Sequence, residues 1–132
     1  MKYILLLGRV LFSLIFIVKA VHHCSSEAMS HAIAVGVPVP YLFVPLSGLL
    51  SFLGGLSILL GFKARIGAWL LFVFLLPVTL IMHRFWESQE GIVAMLQHLC
   101  FMKNLSLIGA VLMIAYFGSG PLSLSKSSPL KK

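Results

Sequence analysis

Most charged residues of the chain lie in short stretches between long apolar runs. Residues 41–62 and 66–82 carry no charge at all, and residues 3–21 form another apolar run, interrupted by Arg9. The last run, 105–117, is too short to cross a hydrocarbon core of ~30 Å, which takes roughly 20 helical residues. A crossing helix must therefore start further back, near Met95 or Leu96, and this draws Lys103 and Asn104 into or near the membrane. In lipid the backbone satisfies its own hydrogen bonds only in a helix or a closed barrel. The pattern predicts an all-α, four-helix membrane bundle, with helices at about residues 3–21, 41–62, 66–83 and 95–117. Gly61-Phe62-Lys63-Ala64-Arg65 reads as a tight hairpin, Pro77 as a kink, and 123–132 as a loose polar tail after a membrane domain spanning 1–122.

Composition agrees with this reading. Hydrophobic residues make up 60% of the chain, charged residues 10%, and the mean hydropathy is +1.07. A soluble domain carries about 25% charged residues, and one of this size could not hide so much apolar surface. The net charge of +7 invites a nucleic-acid reading, but no basic patch interleaves with aromatics. The charge reports topology instead, because Lys and Arg collect in short cytoplasmic segments. With both termini inside, that side holds Lys2, Arg9, Lys63, Arg65, Lys126, Lys131 and Lys132. The far side holds Lys19, Arg84, Lys103 and the three acids Glu27, Glu87 and Glu90. An N-in, C-in orientation follows. Lys2, the apolar run and Val18-Lys19-Ala20 resemble a cleavable signal peptide, but Arg9 and Lys19 argue for a retained first helix.

Small residues mark helix contacts. Gly48, Ser51 and Gly55 share one face of the second helix, and Ser106 and Ala110 form a small-xxx-small pair on the fourth. Gly54 and Gly55 either allow close packing or leave room for a lipid or quinone tail.

All five histidines fall on the far side: His22, His23, His31, His83 and His98. Cys24 and Cys100 join them there. Three readings stay open. These are interfacial residues without chemistry, or His22, His23 and Cys24 belong to a metal site, or His83 and Lys103 bond a quinone carbonyl. Cys24 and Cys100 are also candidates for a disulfide if that side is oxidising. CxxC, P-loop, GxGxxG and GxSxG motifs are absent.

Short motifs in order along the chain resemble the DoxX family. They are Gly8-Arg9-Val10-Leu11 with Phe16, Gly36-Val37-Pro38, Leu53-Gly54-Gly55-Leu56 and Leu60-Gly61-Phe62-Lys63-Ala64-Arg65. His83-Arg84-Phe85-Trp86, Phe101-Met102-Lys103-Asn104-Leu105 and the closing Gly118-Ser119-Gly120-Pro121 complete the set. Two acids common in that family are replaced, by Ser51 three residues before the Gly-Gly pair and by Ser125 after the closing turn. The resemblance implies a bacterial inner-membrane protein, with some relatives linked to thiosulfate–quinone oxidoreduction or oxidative-stress complexes. It points to an accessory subunit, rather than a self-sufficient enzyme, that binds quinone or lipid through His83, Lys103 and Asn104. The rival is a non-catalytic scaffold that uses its small-residue faces on a membrane partner or a second copy. A transporter is a weaker third.

Overall fold

A computed structural model describes residues 1–87 and 91–125. Glu90, Lys126, Lys131 and Lys132, invoked above for topology, lie outside the described residues. The elements in order are α1 (Lys2–His22), α2 (Ser26–Val35), α3 (Pro40–Leu60), α4 (Ala64–Met82), a 3-10 turn at Phe85–Glu87, and α5 (Ile92–Phe117). Among the described residues there is no strand. Four segments are long and apolar enough to cross a membrane: Lys2–His22, Pro40–Leu60, Ala64–Glu87 and Ile92–Phe117. α4 continues through Pro77 as one helix.

α2 departs from the loop expected between the first two crossings. Ser25 caps it by accepting a hydrogen bond from Ala28 N (3.2 Å), Glu27 lies in its first turn, and Gly36 ends it in the left-handed region. Ten residues rise only ~15 Å, too little to span. α2 instead lies over one end of the bundle, with Ala32 buried and contacts to α3 and α4. We call this the α2 end and the opposite one the hairpin end.

The long helices pack in chain order, α1 on α3, α3 on α4 and α4 on α5. Phe16, Ile58, Leu71, Phe74, Leu75 and Val111 lie in the buried core, while most other large apolar side chains face outward. Lipid solvates such outward residues, so association depends on close packing and on polar contacts between helices. Gly48 and Gly55 of α3 meet α1: a Cβ at Gly48 would lie 2.9 Å from the His23 Cβ, and one at Gly55 3.1 Å from the Phe16 Cβ. Between them the buried Ser51 hydroxyl donates to Phe16 O (2.9 Å). Gly54 faces α4, where an added Cβ would lie 3.0 Å from Gly67 O and 2.7 Å from the Leu71 side chain. Ser106 is exposed and Ala110 half-buried on α5.

At the hairpin end, α3 stops at Gly61 (φ 66°), with Gly61 N bonded to Ile58 O and Phe62 N to Ser57 O. This pair of bonds makes a Schellman motif. The chain after α5 folds back onto it. Leu124 N donates to Leu60 O (3.2 Å) and Ser125 N to Gly61 O (3.3 Å), so the polar segment expected to begin at 123 is tied to the hairpin through Ser125. Arg9, buried within α1, completes the tie by donating through Nη1 to Ser119 O (3.0 Å) and through Nη2 to Leu122 O. A side chain at Gly61 would collide with Arg9 and Ser123.

Candidate functional site

The α2 end holds a half-open cavity of about 580 Å³ lined by α1, α2, α3 and α4. Its lining is mostly apolar. Leu50, Val73, Phe74, Pro77, Val78 and Ile81 form an apolar body. Lys19, His22, His23, Ser47, His31 and His83 are the polar residues of its lining. This is the arrangement of a small-molecule site, mostly apolar with a few convergent polar groups.

His23, directly after α1, is fixed by its neighbours. Ser47 donates its hydroxyl hydrogen to Val44 O (2.7 Å), so its oxygen accepts from His23 Nδ1–H (3.0 Å). The ring also meets Phe74 edge-on, with centroids 5.8 Å apart. Burial holds the His23 pKa below its ordinary value, and the positive charges of Lys19 and His22 lower it further. His83, just past α4, is held from α5: Nδ1 donates to Gln97 Oε1 (2.8 Å), which leaves Nε2 of the neutral ring as an acceptor.

Lys19 sits three residues before the end of α1 and stands beside Lys103 of α5, with Cys100 close by. Lys103 is near the middle of α5, but α5 has 26 residues against 21 in α1. At 1.5 Å per residue Lys103 lies ~21 Å above Phe117, and Lys19 lies ~25 Å above Lys2. Both lysines thus lie well away from the hairpin end, and their side chains meet.

The three residues expected to form one site do not all meet. His83 lines the cavity, Lys103 adjoins it through Lys19, and Asn104 is buried one residue further on, with Oδ1 lacking a hydrogen-bond partner. His22, His23 and Cys24 diverge: His22 is exposed, His23 turns to Ser47, and the Cys24 thiol donates to Ala20 O at 3.9 Å. No three His, Cys, Asp or Glu side chains converge as metal ligands among the described residues. Cys24 and Cys100 are both free thiols. His98 packs on Phe85 (centroids 4.8 Å apart), and Phe101 packs on Phe85 and Trp86.

Sequence reasoning passed over Lys19, Ser47 and Gln97 as site residues. A signal existed for Gln97. Residues 97, 100, 104, 108 and 111 recur at spacings of three and four, which places Gln97, Cys100 and Asn104 on the face that buries Ile108 and Val111. Ser47 and Lys19 meet the cavity only through packing of α3 and α1, which no local pattern encodes.

Comparison with known proteins agrees with this architecture. The DoxX family model matches residues 4–84. The inner membrane protein YqjF of Escherichia coli is 32% identical over 121 residues, covering 92% of this chain and 88% of its own length. The inner membrane protein YphA of the same organism is 28% identical over 125 residues, covering 93% and 89%. No solved structure matches the chain.

Proposed function

The chain belongs to the DoxX family and is a multi-pass inner-membrane protein, and on that premise we propose that it is an accessory subunit of a redox or oxidative-stress system that binds an amphiphile, a quinone or a lipid, in the cavity at the α2 end. The cavity itself carries the proposal. It joins a mostly apolar wall to a few hydrogen-bonding side chains, and a ligand with a polar head and an apolar tail matches both. His83, its ring fixed by Gln97 with Nε2 left as an acceptor, is placed to accept from the hydroxyl of a quinol. The redox association itself rests on the family resemblance.

We also propose the N-in, C-in orientation, which turns the cavity toward the periplasmic leaflet. The hairpin end carries Lys2, Arg9, Lys63 and Arg65, whereas Glu27 and Glu87 lie at the α2 end. Cys24 is exposed there, so a membrane-impermeant maleimide added to intact spheroplasts should label it. Labelling only after lysis would reverse the orientation.

Native mass spectrometry of protein purified in mild detergent tests the function. A co-purified quinone or lipid, lost when Val78→Trp fills the cavity, supports it. A ligand-free chain with a stoichiometric protein partner favours the scaffold. One observation speaks for that second reading: Ser106 is exposed and an added Cβ at Gly109 would touch nothing, so α5 presents an open small-residue face. Gly48, Ser51, Gly54 and Gly55 are already used within the bundle.

A further inference from the structure

The amphiphile reading leaves the headgroup open, and the charges around the mouth narrow it. Lys19 lines the cavity and stands beside Lys103. His22, His23, His31 and His83 line the same cavity. No acid on a neighbouring element offsets this charge among the described residues. Glu27 is exposed at the start of α2, and Glu87 pairs with Arg84 (3.1 Å). Neither lysine forms an ion pair with a described residue. Two ammonium groups held together repel each other, and an anion placed between them removes that repulsion. Below them the wall turns apolar at Leu50, Phe74 and Val78. A neutral head such as a quinone satisfies the wall and leaves the charge unmatched. A free inorganic anion does the reverse.

Building on the amphiphile reading above, we propose that the cavity binds a single-chain anionic amphiphile, with a carboxylate or phosphate head at Lys19, beside which Lys103 stands, and its tail against Leu50, Phe74 and Val78. A volume of about 580 Å³ is that of a single small-ligand site and suits one alkyl chain.

The test is binding of four probes to the full-length protein in detergent, followed by native mass spectrometry or calorimetry. The probes are palmitate, lysophosphatidate, hexadecanol as the uncharged counterpart of palmitate, and decylubiquinone. Palmitate or lysophosphatidate should bind at least about tenfold more tightly than hexadecanol, and Lys19→Gln or Lys103→Gln should each weaken the anion about tenfold while leaving hexadecanol unchanged. Lys103→Arg keeps the charge and should restore binding. Leu50→Trp should weaken every probe by filling the body. Both glutamine variants relieve like-charge repulsion, so their thermal unfolding midpoints should equal or exceed that of the parent chain. A preference between palmitate and lysophosphatidate assigns the head as carboxylate or phosphate. Equal binding of palmitate and hexadecanol, or palmitate binding insensitive to both lysine variants, overturns the anionic head and leaves the amphiphile reading standing. Failure of all four probes overturns both.

Discussion

Arg9→Met should release the segment that closes the hairpin end. The guanidinium is only 8% exposed and donates to two carbonyls, Ser119 O and Leu122 O. Hydrogen bonds to a charged donor contribute ~1.5–3 kcal/mol each, so the gross loss is about 3–6 kcal/mol. Part of that returns, because methionine removes a buried charge that carbonyls, rather than a carboxylate, accompany in this structure. Arg9 Nε has no partner, which adds to the cost of keeping the charge there. A net destabilisation of ~2–3 kcal/mol remains. Arg9→Lys retains the charge but cannot fork to both carbonyls, and should lose ~1–2 kcal/mol. Unfolding in detergent reads the global effect. Amide hydrogen exchange reads the local one, because Leu124 N and Ser125 N are bonded to Leu60 O and Gly61 O only while the segment is folded back. Unchanged protection at Leu124 and Ser125 in Arg9→Met, with unchanged unfolding, would show that Arg9 does not hold the closure.

Other perturbations probe the helix contacts and the cavity. Gly54→Val should cost ~1–3 kcal/mol by forcing α3 from α4 at Gly67 and Leu71, measured by unfolding in detergent; a neutral result would place the helices further apart. Ser51→Ala should cost ~1 kcal/mol by leaving Phe16 O without its donor, and Ser51→Thr should not behave as a simple rescue because the site is fully buried. His23 supplies a pH test. Its folded pKa is lowered, chiefly by burial, so the neutral ring is favoured in the fold. Its contribution to stability is complete above the ordinary histidine value of about 6.5 and is lost as pH falls through the lower folded value. The unfolding midpoint should therefore drop on acidification below that value, and His23→Gln should flatten the dependence; an unaltered slope in that variant would assign the effect to another group.

The four crossings were legible because uncharged runs of this length have few alternatives in lipid. α5 was the least legible. Its apolar core is short, and it begins at Ile92, earlier than hydropathy alone suggested. α2 carried ordinary start and stop signals, Ser25 with Glu27 and then Gly36, but two crossings on either side drew attention from a short interfacial helix. The site was half legible. His83 reached the cavity on the strength of its position after α4. Lys19 reads in the sequence as a topological charge and as a mark of a retained helix, because its nearness to Lys103 arises from packing between helices distant in the chain. Arg9 read as a break in an apolar run. Its partners are backbone carbonyls, which leave no mark in a sequence.

The bonds from Arg9 reach 110 and 113 residues along the chain. The first of the four crossings thus depends on residues that are made after the fourth. Until residues 119–122 emerge, α1 enters the bilayer with a guanidinium that has none of its final acceptors, a placement that costs ~2.5–3.5 kcal/mol at a helix centre and less near an end. A chain cut short after α5 would keep all four crossings and still leave that charge unsatisfied. Settling of α1 in the bilayer is thereby linked to synthesis of the segment that follows α5.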